Sequence, residues 1–250
     1  MKYLLNGNDI AGADYGRVIY NENKILLKDF PEPLVYNAID LGLPSGTLWA
    51  DRNVGATAPE ENGLFFQWGD TIGYTVEQVG TGEGKKYFAW GDYRFSGEGA
   101  IDNNPQLKKY CDNTRYGQNN TFVDSKSVLD LEDDAARANM NGVWLMPTEE
   151  QISELLNNTR PETVYVNDYR VCRLHSTKDT SKYIDIPVLV MGAASNGSLN
   201  GSYTGFFWSN TITTEYCYNA KCFIVGVGPH TSLNERNRSN GLPVRGVIKK

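Results

Sequence analysis

Hydrogen-bonding side chains gather near the end of the chain. Between Phe207-Trp208-Ser209 and Gly241-x-x-Val244-Arg245-x-Val247 lie Tyr216, Tyr218, Asn219, Lys221, His230, Asn234, Arg236, Asn237 and Arg238, in no periodic pattern. Arginine and asparagine bring several donors each, and tyrosine adds a flat surface with a polar tip. That mixture suits recognition of a polar ligand. No Ser/His/Asp grouping accompanies it, and His175 and His230 stand without a motif, so no catalytic residue is expected.

Two other groups could bind metal. Glu132-Asp133-Asp134 could offer oxygens to calcium, a hard cation that takes six to eight of them. Adjacent acids at a helix start more simply complement its positive end, and no second cluster with calcium-loop spacing accompanies them. Cys111, Cys172, Cys217 and Cys222 contain no C-x-x-C pair, which argues against zinc and for buried or free thiols. No metal and no cofactor are expected.

These residues need a scaffold, and the chain of 250 residues is long enough for one large domain with a small appendage. Its 25 glycines, 15 tyrosines and 5 tryptophans suit a β-containing fold with long loops and a recognition surface. The net charge of −6, with no basic run beyond Lys249-Lys250, excludes nucleic acid as a partner. No stretch approaches the ~20 apolar residues of a membrane span, so no membrane insertion is expected. The opening MKYLLNGNDIAGADYG lacks the features of a secretory signal; a product made in a cytoplasm and not exported by the usual route is expected.

In chain order, short strands are predicted at Lys2–Leu5, Arg17–Tyr20 and Lys24–Leu27, with turns at Asn6-Gly7-Asn8 and Asn21-Glu22-Asn23. Three such strands cannot bury a core, so residues 1–35 are read as a segment that pairs with another chain or packs on the main domain. Residues 36–250 form that domain. It opens with two strands around Pro44-Ser45-Gly46, then a buried aromatic run, Leu64–Gly69. Residues 70–126 make a long excursion rich in glycine and asparagine, too long for filler; Trp90 within it could serve an interface.

Helices are predicted over Leu131–Asn139 and from Thr148, where Thr148 and Gln151 fit a capping box and Ile152, Leu155 and Leu156 share one face. Thr163–Val166 and Tyr169–Leu174 flank Asn167-Asp168 as a hairpin. Tyr183–Met191 is predicted as a central strand, 192–205 as a loop, and Phe206–Trp208, Tyr216–Val225 and Leu242–Ile248 as strands. Trp49, Trp68, Trp144 and Trp208 are assigned to the core, and Arg245 is read as a structural arginine bonded to backbone carbonyls.

The order of motifs resembles a family. IDLGLPSGTLWADRNVGA (39–56), LFFQWGD (64–70), LKKYCD (107–112), LEDDAA (131–136), GVWLMPTEEQISELL (142–156), IDIPVLVMGAA (184–194), FFWSN (206–210) and GLPVRGV (241–247) are similar to the major paralogous domains of Bacteroidetes and their phages. These are related to the formylglycine-generating-enzyme branch of the C-type lectin fold. Leu145 replaces the family's usual arginine, and Gly246 its proline.

The resemblance implies an α+β, C-type-lectin-like domain with two short helices and antiparallel sheets, preceded by a small N-terminal β segment. It implies that residues 216–240 form the exposed ligand face, a segment that retroelements diversify in some relatives. The expected function is that of a bacteriophage virion component, a head or tail fibre or decoration protein located on the virion. Its partners would be virion proteins through the N-terminal segment and a host surface glycan or protein through the lectin-like face. A homo-oligomer is expected, with a trimer favoured. The alternative is a bacterial adhesin at the cell surface. A third reading is a copper- or thiol-dependent oxidase, because formylglycine-generating enzymes carry a copper-binding pair at the spacing of Cys217-x4-Cys222. Along a regular strand, that spacing turns the two side chains to opposite faces.

Overall fold

The computed structural model describes residues 34–249 except 103, 189–192, 201–202, 215, 227 and 229, together with the backbone of two short strands before them. The chain divides into two units, Met1–Leu34 and Val35–Lys250. In the first, β1 (Leu4–Leu5) pairs antiparallel with β2 (Asn8–Asp9). Asn8, predicted in a turn, is the first residue of β2; the strands predicted at Arg17–Tyr20 and Lys24–Leu27 lie outside the described residues.

The second unit runs β3 (Ala38–Ile39), β4 (Thr47–Ala50), α1 (Ala135–Asn139), α2 (Glu149–Asn157), β5 (Thr159–Val166), β6 (Tyr169–Ser176), β7 (Tyr183–Pro187), β8 (Ala193–Ser195), β9 (Ser198–Asn200), β10 (Thr204–Ile212), β11 (Asn219–Gly226), β12 (Thr231–Asn237) and β13 (Val247–Lys249). Its sheets have the orders β3-β4-β13, β5-β6-β7, β8-β9 and β10-β11-β12. The named strands pair antiparallel throughout, which makes the unit an α+β arrangement.

Local chemistry accounts for several of these elements. Asn167 and Asp168 both take left-handed backbone (φ 47° and 67°), which their short polar side chains tolerate, and so close the β5–β6 hairpin with Val166 opposite Tyr169. At α2, Thr148 Oγ1 accepts from the Gln151 N–H at 3.2 Å, and Gln151 Oε1 accepts from the Thr148 N–H at 2.9 Å, the reciprocal cap the sequence predicts. Ile152 and Leu155 are fully buried, packed in one core with Trp49, Leu174, Phe207 and Phe223. Phe207 and Phe223 stack across neighbouring strands with centroids 4.8 Å apart. Each such buried side chain contributes roughly 1.5–3 kcal/mol.

The structure corrects several expectations. The first helix is shorter than predicted: Leu131–Asp133 is a single 3-10 turn, and the extended backbone of Asp134 (ψ 113°) separates it from α1. Asp134 caps α1 by accepting from the Arg137 N–H at 2.9 Å and also receives the Met146 N–H. The described part of the strand predicted over Tyr183–Met191 is not central, and residues 189–191 lie outside the described residues. β7 stops at Pro187 and is the outer strand of its sheet, although the Val188 N–H still donates to the Arg170 carbonyl at 3.1 Å.

The loop predicted over 192–205 contains the β8–β9 hairpin, turned by Asn196 and Gly197 (φ 47° and 69°). Tyr216 and Tyr218 precede β11 rather than opening it, and of the strand predicted at Leu242–Ile248 only the last two residues are regular, within β13. β12 has no counterpart among the predictions. The excursion over 70–126 buries several of its aromatics, among them Phe88, Tyr93 and Phe95, while Tyr87 stays exposed; Trp90 is 2% exposed, edge-on to Tyr93, which places it in the interior and not at an interface.

Candidate functional site

β11 and β12 form a hairpin in register from Asn219 opposite Asn237 to Val225 opposite Thr231. Alternation along the pair turns Phe223 and Val225 into the core, with Leu233 partly buried against it. β12 is the outer strand of its sheet. At its C-terminal end is a shallow polar depression of about 450 Å³, lined by Asn219, Asn234, Glu235, Arg236, Asn237 and Asn240. Four of these, Asn219, Asn234, Arg236 and Asn237, were singled out from sequence. Glu235 and Asn240 were missed, although both lie within the run assigned to recognition.

The rim is partly fixed and partly unoccupied. Glu235 accepts from Thr213 Oγ1 at 2.9 Å and from Asn219 Nδ2 at 3.2 Å. Arg236 Nη1 donates to Asn234 Oδ1 and to the Glu235 carbonyl, both at 2.9 Å, while its guanidinium carbon lies 4.4 Å from the centroid of the Phe206 ring. Nε and Nη2 of Arg236 and the side-chain amides of Asn237 and Asn240 have no hydrogen-bond partner among the described residues. Asn219 Oδ1 is shut from solvent and also accepts no bond there. Donors and acceptors held around a shallow hollow, with the Glu235 carboxylate among them, supply the hydrogen-bonding groups that match an oxygen-rich surface.

The other predicted residues lie elsewhere. Tyr218 packs edge-on against Tyr116 with centroids 4.7 Å apart and lies 5.7 Å from Tyr216, a surface aromatic cluster. Lys221 reaches toward Glu149 at the start of α2, 3.8 Å away. His230 stands at the turn end of the hairpin, about 24 Å along the strands from the Asn219–Asn237 pair at about 3.4 Å per residue.

Arg238 requires a correction. Expected to supply donors to a ligand, it is fully buried. Its Nε donates to Tyr93 Oη at 2.9 Å, Nη1 to the carbonyls of Tyr110 (2.8 Å) and Cys217 (2.9 Å), and Nη2 to the carbonyl of Lys109 (3.0 Å). Its guanidinium carbon stands 4.8 Å from the centroid of Trp68. β12 ends at Asn237, so the next side chain escapes strand alternation and turns inward, where these acceptors satisfy it. Burial raises the Tyr93 hydroxyl to about 12, although the Arg238 charge opposes the shift. Arg245 behaves as predicted: buried, it bonds Asn53 Oδ1 at 2.7 Å and the carbonyls of Ala50 and Asp185 at 3.0 Å.

The metal candidates also resolve into geometry. Asp130, Glu132 and Asp133 converge, and the Lys109 ammonium stands among them at 2.8, 3.1 and 2.5 Å. Burial works against the Lys109 charge, but Asp130, Asp133 and Glu132 outweigh it and hold its pKa above the ordinary lysine range. A side chain of the protein thus takes the place a cation would occupy, and Asp134 turns away to cap α1. The fold does not pair Cys217 with Cys222. Cys217 Sγ lies 3.4 Å from Cys111 Sγ, while Cys222 sits inside β11 opposite Trp208. Burial pushes the Cys222 thiol up to about 12, which disfavours the thiolate a copper ligand needs.

No family model, curated protein or solved structure matches the chain. Among the described residues, no helix is long and apolar enough to cross a membrane.

Proposed function

We propose that the chain is a bacteriophage virion component, a head or tail fibre or decoration protein, and that its second unit is a C-type-lectin-like domain binding a host surface glycan or protein. The observation that carries the reading is the rim of β12. Asn219, Asn234, Arg236 and Asn237 meet around one polar depression, inside the segment that the family resemblance assigns to the ligand face. Side-chain amides and a guanidinium match the hydroxyl and amide groups of glycans and peptides. A shallow hollow binds weakly on its own, and an oligomer joined through the N-terminal segment would raise the avidity of several such rims on one cell.

The test uses the fluorescently labelled chain on intact cells of a panel of Bacteroidetes strains. The N234A/R236A/N237A variant is expected to keep its fold and to bind the responding strains at least about tenfold less well. Undiminished binding would count against the rim. Antibody raised against the chain should decorate purified phage particles at regular positions, and bare particles would sink the virion reading.

A further inference from the structure

Cys111 and Cys217 are 106 residues apart in the chain, yet their sulfurs meet at 3.4 Å, and both side chains are fully buried. The contact is built from both sides. Arg238 Nη1 donates to the carbonyl of Tyr110, the residue before Cys111, and to that of Cys217 itself. The Asp124 carboxylate accepts the N–H groups of Tyr110 and Cys111, each at 2.8 Å. Both backbones are thus held where the sulfurs meet, and a bond needs the sulfurs to close from 3.4 Å to ~2.05 Å.

We propose that Cys111 and Cys217 form a redox site that closes to an intramolecular disulfide in an oxidising medium, fastening the long excursion to the start of the recognition segment. The oxidant is a small-molecule disulfide such as oxidised glutathione, which reaches the thiols while the chain folds, before both are fully buried. The thiolate of Cys111 attacks one of its sulfurs and displaces a small thiolate, leaving a mixed disulfide. The thiolate of Cys217 attacks the Cys111 sulfur of that bond and displaces the second. One S–S bond breaks in the reagent and one forms in the protein. Two protons and two electrons pass from the protein to the reagent, which leaves as two thiols.

Cys111 is the thiol that ionises first. The hydrogen bond from Cys217 lowers its pKa, with help from the Arg238 charge, while that same contact and burial raise the pKa of Cys217. Cys172 and Cys222 act as internal controls: burial pushes each up to about 12, and neither has a sulfur partner among the described residues. Tyr116 follows Cys111 closely and packs against Tyr218, the neighbour of Cys217, so the bond would fix the base of the tyrosine cluster.

Because both thiols are buried, the test denatures the full chain and refolds it in oxidised glutathione, alongside a sample kept in dithiothreitol. The oxidised sample is expected to lose the mass of two hydrogens and to yield a Cys111–Cys217 linked peptide. Its melting temperature should rise by on the order of 10 °C, since the bond restricts a long loop of the unfolded chain. C111S and C217S should each abolish the loss of mass, whereas C172S and C222S should retain it. Four free thiols after oxidative refolding, or a linked peptide from any other pair, overturns the proposal. The wild-type peptide map decides the matter even where a variant fails to fold.

Discussion

Arg236 and Arg238 stand two positions apart and belong to different regions of the molecule. Arg236 lies on the rim of β12, with part of its guanidinium unpartnered among the described residues and the rest bonded to its own strand. Arg238 lies behind that rim, bonded to one phenol and three carbonyls from distant segments. The strand end between them makes the difference. Up to Asn237, the residues follow an edge strand whose polar side chains can reach solvent; beyond it, the backbone turns and the side chain enters the interior. A run of donors in a sequence is therefore not a recognition surface throughout, and part of it can be the clamp that holds the surface in place.

The sharpest way to break this comparison is Arg238→Met. The substitution leaves the carbonyls of Lys109, Tyr110 and Cys217 without their donor, and at about 1–3 kcal/mol for each buried unpaired group a loss of roughly 3–5 kcal/mol is expected in urea denaturation. A change within about 0.5 kcal/mol would remove the clamp from the account. Arg245→Met follows, at about 3 kcal/mol, because Asn53 Oδ1 and the carbonyls of Ala50 and Asp185 lose their partner. Binding to cells should survive in that variant at temperatures where it remains folded.

The rim should respond in the opposite sense. Arg236→Ala gives up a cation–π contact between a half-buried guanidinium and the buried Phe206 ring, so its stability is expected to stay within about 1 kcal/mol of wild type while cell binding falls. A cooperative loss of stability comparable to that of the Arg238 variant would merge the two regions into one.

The smallest effect concerns acid. Hydrogen bonds from Lys109, then Lys126, hold the Asp130 carboxyl down to about 2. Its folded pKa lies below the ordinary value of about 3.9, so its contribution is complete above that value. It is lost as pH falls from about 4 through about 2. Asp130→Asn should flatten this part of the pH–stability curve; an unaltered curve would show that the Lys109 cluster is not coupled to folding.

Local features were legible in the sequence. The Asn167-Asp168 turn and the Thr148–Gln151 cap each depend on residues within one turn of the chain, and their residue types announce the backbone they need. Arg245 was legible because a lone arginine among apolar neighbours must find buried acceptors. β12 was not, because in Thr231–Asn237 only Leu233 is apolar, and an edge strand with one apolar residue gives no alternating signal. Arg238 and the Cys111–Cys217 contact were hidden for another reason: their partners come from the excursion, and nothing local to either segment encodes the meeting.

Hydrogen–deuterium exchange on the intact chain, with and without surface material extracted from bacteria that bind it, tests the central claim most directly. Slower exchange confined to Thr231–Asn237 and the neighbouring Asn240 is the result expected if the rim is the recognition surface. Protection that falls instead on the β5-β6-β7 sheet, with β12 unchanged, would contradict it.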